Sequence, residues 1–135
     1  MECIFCQIMA GQIPCDRVYA DDQVLAFLDI APITRGHTLV VPKRHWTDLA
    51  SAPVETAAAM MAAVKKIAPA VLETTGATAF NVGINNGAAA GQIVMHVHFH
   101  LIPRRADDGL RSWPHQKYGP GEGAALARQI AATVG

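Results

Sequence analysis

The run His96-Val97-His98-Phe99-His100-Leu101-Ile102 alternates imidazole with apolar side chains, and no other feature constrains the chain as much. Successive side chains of an extended strand point to opposite faces, so the spacing predicts a strand across this run. Val97, Phe99 and Leu101 turn to a core, and the three imidazoles emerge together on the other face. Neutral imidazole is a competent nucleophile near pH 7, and a row of them can supply attack, orientation and charge stabilisation at one phosphorus or carbonyl centre. Six histidines occur in the chain and three of them fall in this window, which weighs against a surface strand that carries histidine by chance.

The 135 residues have the length of one domain, 1–135, with apolar content enough for a single core. Eleven basic side chains balance eleven acidic ones, leaving no basic field for long nucleic acid and no polybasic run for a membrane surface. Small ligands or protein partners are expected instead. No stretch reaches membrane-spanning length, and the opening Met1-Glu2-Cys3-Ile4-Phe5-Cys6 has no charged leader before an apolar segment. A soluble, intracellular (cytoplasmic) protein is expected. Cys3 and Cys6 are spaced Cys-x-x-Cys, which inside a cell favours metal or redox chemistry over a structural disulfide, while Cys15 reads as a small apolar residue.

Along the chain, Ile4 to Ala10 predicts a short helix stopped by Gly11 and Pro14. Val18 to Ala20 and Val24 to Leu28 flank the turn Asp21-Asp22-Gln23 as an antiparallel hairpin, and another strand, Thr38 to Val41, stops at Pro42. From Ser51 to Thr75 a helical period places Val54, Ala57, Ala58, Met61, Val64, Ala68, Val71 and Leu72 on one face. Pro53 suits its first turn, Gly76 its exit, and Pro69 predicts a kink or interruption near Lys65 to Ala68. Ala79 to Asn85 reads as a strand, followed by a flexible loop from Asn86-Gly87 to Gly91-Gln92 and then the histidine strand. A polar, glycine-rich tail leads to a last helix near Glu122 to Ala132. Strands joined by hairpins, with one long helix over a face, give an α+β class with a mostly antiparallel sheet.

With its apolar spacers, the histidine run resembles the His-x-His-x-His signature of the histidine triad (HIT) family of nucleotide hydrolases and transferases. Also similar to the family pattern are Ile4-Phe5-Cys6, Leu25-Ala26-Phe27-Leu28-Asp29-Ile30, the segment Gly36-His37-Thr38-Leu39-Val40-Val41-Pro42-Lys43-Arg44-His45, and Gly91-Gln92. Together they span about residues 3 to 104, leaving a C-terminal tail and helix from about 105 to 135. The resemblance implies a five-stranded sheet, a homodimer, purine nucleotide ligands and a nucleophilic role for His98. It also implies that Asp29 accepts hydrogen bonds from ribose hydroxyls, and that Phe5, Ile8, Phe27, Leu28 and Ile30 form a slot for the base. Read without the resemblance, Phe5, Ile8 and Phe27 would be core residues, Asp29 a turn cap, and His37 a packed or solvated histidine.

Such a site would hydrolyse purine nucleoside phosphoramidates or adenylylated amines through a nucleotidyl-imidazole on His98, with dinucleoside polyphosphates or transfer to another acceptor as alternatives. His37 and His100 are candidates for stabilising charge on the phosphate oxygens. Asn85, Gln92 and the Gly87 to Gly91 backbone are candidates for holding the remaining oxygens or the leaving group. Many family members have serine or threonine after the Gly-Gln pair, whereas this chain has Ile93. In members that share the cysteine pair, a structural zinc is completed by two histidines that fall here on His45 and His96, joining Cys3 and Cys6 in a closed site. A nucleotide-sensing or interaction module with incidental turnover stays open, as does a catalytic metal on His96, His98 and His100; the leading reading requires no catalytic metal.

Overall fold

Five runs rich in Val, Leu, Phe and Ile form strands: β1 (Arg17–Ala20), β2 (Val24–Leu28), β3 (Thr38–Pro42), β4 (Ala79–Ile84) and β5 (Phe99–Arg104). They make one antiparallel sheet in the order β1-β2-β3-β5-β4, the expected α+β architecture. The computed structural model describes residues 3–135, so Met1 and Glu2 of the opening hexapeptide lie outside the described residues. Three helices complete the fold: α1 (Ile4–Met9), α2 (Val54–Thr75) and α3 (Glu122–Thr133). Among the described residues no helix is long and apolar enough to cross a membrane.

The β1–β2 hairpin closes as the sequence predicts. Asp21 Oδ1 accepts hydrogen bonds from the N–H groups of Gln23 and Val24, both at 2.8 Å, so the aspartate side chain builds the turn. Helix α2 then covers one face of the sheet. Its Met60, Ala63, Val64, Ile67, Ala68 and Val71 pack against Val24, Ala26, Val40, Val97, Phe99 and Leu101. At roughly 1.5–3 kcal/mol for each large apolar side chain taken from water, this layer is the main source of stability. The opposite face carries a smaller cluster of Phe5, Leu25, Phe27, Leu39 and Val41, joined by Cys3, Ile8 and Val94. Helix α1 is held there by Phe5.

Three expectations need correction. The buried stripe of α2 agrees with the predicted one at Val64, Ala68 and Val71 but departs from it elsewhere, because Val54 and Met61 face solvent while Met60, Ala63 and Ile67 are buried. An alanine-rich helix offers two overlapping apolar stripes, and the sheet selects the one with more contact. The helix also begins after Pro53, which caps it, and runs unbroken through Pro69. Pro69 and Lys65 both lie on the exposed side, so the carbonyl that loses its N–H partner can be met by water. Finally, the ladder of β5 begins only at Phe99, so His96 and His98 precede the strand instead of belonging to it. There the chain hangs on one bond to a loop, Val97 N–H to the Trp46 carbonyl at 2.7 Å.

The alternation survives this shift. Val97, Phe99 and Leu101 are in the α2 core, and the histidines lie on the face covered by Phe5. Gly36 permits the tight approach that brings His37 to that face: its φ is +94°, and a Cβ there would meet Thr75 Cγ2 at 2.6 Å.

Candidate active site and metal centre

His98 is nearly buried, at 7 % exposure, with its ring edge-on to Phe5 at 5.1 Å and beside the His100 ring at 4.9 Å. Its Nδ1 lies 2.8 Å from the His96 carbonyl oxygen. A carbonyl only accepts, so the proton sits on Nδ1 and Nε2 presents a lone pair. Burial holds the His98 pKa below the ordinary histidine value, opposed by the bond to the His96 carbonyl and by the charge of Asp29. The ring is therefore neutral at pH 7.

His37 and His100 form a second fixed pair. The Ile33 N–H donates to His37 Nδ1 at 3.0 Å, which puts the His37 proton on Nε2, 2.9 Å from His100 Nδ1. His37 then donates to His100, whose own proton falls on Nε2. Asp29 stands 3.7 Å from His37 Nδ1 and accepts from the Ala31 N–H at 2.8 Å. Desolvation, followed by repulsion from His98 and His37, pushes His100 down to about 4. Desolvation also lowers His37, countered by Asp29. Three neutral imidazoles with assigned protons thus adjoin one another, and each N–H or lone pair is held in place before any ligand arrives.

Phe5, Phe27 and Ile8 share one apolar cluster, and Phe5 stands edge-on to the His96 and His98 rings. Leu28 departs from it: one residue after Phe27, it lies on the opposite sheet face and lines a cavity with Ala70 and Val71 of α2. Ile30 sits in the loop after β2, 95 % exposed. Asn85 is half-buried, makes no hydrogen bond among the described residues, and lines a cavity with His100. Gln92 is buried but fully engaged. Its Oε1 accepts from the Gly87 N–H at 2.8 Å, and its Nε2 donates to the Thr47 and Val94 carbonyls at 2.7 and 3.0 Å. It pins the loop and has no polar atom left for a phosphate. Ile93 is 89 % exposed, and His115 is exposed and joins neither histidine cluster.

The ring of His96 belongs to a different assembly, a correction to the expectation that it joins His98 and His100 at the ligand. Fully buried, it donates from Nε2 to the Pro42 carbonyl at 2.8 Å, so its Nδ1 lone pair points at Cys3 Sγ (3.4 Å), Cys6 Sγ (3.6 Å) and His45 Nδ1 (3.1 Å). Cys6 Sγ lies 3.4 Å from His45 Nδ1, and all four donor atoms fall within 4.8 Å of one another. Donors around tetrahedral zinc stand roughly 3.3–3.8 Å apart, so this set fits such an ion and leaves no open position. The Pro42 carbonyl would supply the outer contact that fixes a liganding imidazole.

Sequence reasoning did not find Asn81, Arg111, Ser112 and Trp113, which line the cavity beside His100. The path of the glycine-rich tail across β4 and β5 leaves no local signal.

Comparison with known proteins agrees with this geometry. Residues 10–107 match the HIT domain model. The chain is 44 % identical over 109 residues to the adenylylsulfatase HINT3 of Arabidopsis thaliana, covering 81 % of this chain but only 55 % of that protein. It is 41 % identical over 136 residues to the adenosine 5'-monophosphoramidase hnt1 of Schizosaccharomyces pombe, covering 99 % of each. Among solved structures, a zinc-bound histidine triad family protein from Mycobacterium smegmatis superposes with a TM-score of 0.79 at 44 % identity, covering 98 % of each chain. With its ordered imidazoles, its five-stranded sheet and a domain match over most of its length, the chain belongs to the histidine triad family.

Proposed function

We propose that the protein hydrolyses purine nucleoside phosphoramidates or adenylylated amines by way of a nucleotidyl intermediate on His98. The observation that carries this reading is the His98 ring, whose Nδ1–H is held by the His96 carbonyl so that Nε2 is free to attack. In the first step the Nε2 lone pair forms a bond to the α-phosphorus while the bond to the leaving amine breaks, and the amine takes up a proton. In the second, water attacks the same phosphorus, its proton is released, and His98 is regenerated with a nucleoside monophosphate as product. His100, through Nε2–H, and Asn85 stabilise the phosphate oxygens, and His37 fixes the tautomer of His100. Asp29 holds the ribose, and Phe5, Ile8, Phe27 and Ile30 hold the base. The plant and yeast relatives are named adenylylsulfatase and adenosine 5'-monophosphoramidase, both activities on adenylyl compounds, and this supports the reading.

Zinc on Cys3, Cys6, His45 and His96 would be structural, tying α1 to the segment that carries His98, and no catalytic metal is required. The free thiols of Cys3, Cys6 and Cys15 suit a reducing cytoplasm. A homodimer is supported by two unpaired surfaces: edge strand β4, exposed along nearly its whole length, and α3, in which no residue is buried.

The test is to incubate the protein with adenosine 5'-phosphoramidate, quench in acid and map the adduct by mass. Adenylylated His98 during turnover is expected. Multiple turnovers with no adduct, even under rapid quench, would refute the covalent route, and nucleotide binding without turnover would favour the sensing module.

A further inference from the structure

The nucleoside contacts proposed above come from α1 and β2, which leaves the β4 side of His100 for the group that departs. On that side lies a cavity of about 570 Å³, within the range that encloses small ligands. It is lined by His100, Asn81 and Asn85 and by Arg111, Ser112 and Trp113 of the tail.

Two cations reach this cavity and they are not equivalent. Arg104 is spoken for: its Nε and Nη2 donate to Asp108 at 2.6 and 3.1 Å, and its Nη1 donates to Asn81 Oδ1 at 2.7 Å. Arg111 makes no hydrogen bond or ion pair among the described residues, and no carboxylate lines the cavity. A free guanidinium on a concave wall that also offers the Ser112 hydroxyl is a fork for an oxyanion.

Resting on the hydrolase reading, we infer that this cavity is a leaving-group subsite in which Arg111 selects amines bearing an anionic substituent, a carboxylate or a phosphate. The reacting phosphorus sits at His98 and His100, and the departing amine extends along β4 with its negative end at Arg111. Arg111 acts on affinity for the departing half and takes no part in the bond exchange.

The test uses three adenosine phosphoramidates made from propylamine, β-alanine and 2-aminoethyl phosphate, which share the scissile bond and differ at the far end. The ratio of kcat/KM for each anionic amidate to that for the propyl amidate is the readout. In the unaltered protein both ratios exceed one. Arg111→Ala lowers them about tenfold, Arg111→Glu lowers them further, and Arg111→Lys retains most of the preference. If only one ratio responds, that anion alone is the selected class. Ratios unchanged in Arg111→Ala would overturn the assignment. Should the unaltered protein cleave none of the three, the hydrolase reading itself fails. Equilibrium binding of the three amidates to His98→Asn protein then decides the subsite separately, with equal affinities overturning it.

Discussion

Among the described residues two clusters of metal-capable side chains stand out, and they differ in where their protons lie. Cys3, Cys6, His45 and His96 converge, and the one proton that the structure fixes there, on His96 Nε2, points away to the Pro42 carbonyl. Asp29, His37 and His100 are equally close in space, but the His37 Nε2 proton stands between the two rings, and the Ile33 N–H occupies the other His37 nitrogen. A cation entering that second cluster would have to expel a proton and break a backbone bond. Donor count and proximity are alike, yet only the first arrangement suits a metal ion, and the second suits pre-set donors for a phosphate.

The sharpest break between the clusters comes from His98→Asn. Turnover of adenosine phosphoramidate should fall by at least about 10³-fold, with nucleotide affinity largely kept and metal content unchanged by mass spectrometry. Loss of metal in this variant would mean the two assemblies are one. Cys6→Ser should do the reverse, abolishing bound metal and lowering the melting temperature by about 10 °C or more. A variant that melts like the parent would show that the thiolates hold nothing.

Smaller effects probe the fixed protons. His37→Ala frees His100 to take either tautomer, so kcat should drop about 10- to 100-fold with KM little changed. A rise in KM alone would make His37 a binding residue instead. Gln92→Ala leaves the Gly87 N–H and two carbonyls without partners and should cost about 1–3 kcal/mol in urea unfolding.

The smallest effect is the pH dependence of stability. Because folding depresses the pKa of His100 from 6.5 to about 4, the unfolded chain binds the extra proton between those values. The stabilisation of the neutral form is therefore complete above pH 6.5 and declines as pH falls towards 4. His100→Asn should reduce the slope of the urea midpoint over that window, the depressed His37 and His98 retaining part of it, and an unchanged slope would contradict the assigned neutrality.

Period-two alternation is a local property of an extended chain, so the faces of Val97, Phe99, Leu101 and their histidine neighbours were legible in the sequence. Where the strand begins was not, since a ladder needs a partner, and pairing with β3 reaches only Phe99 opposite Val40. The donor set of the candidate metal centre followed from the family resemblance, but the tautomers depend on the carbonyls of Pro42 and His96 and on the Ile33 N–H, which no side-chain pattern records. Leu28 shows the opposite error. It was carried into the base slot with its neighbours, although strand alternation alone turns it to α2.

His96 has a ring committed to the thiol cluster and a carbonyl committed to the His98 ring. Under the proposed mechanism, the aim of the attacking lone pair is therefore inherited through a single peptide unit from an anchor that includes Cys3 and Cys6. Any change in the N-terminal helix that tilts this residue would misdirect the attack without touching the reactive ring, so a remote substitution there can silence an enzyme whose cleft remains intact.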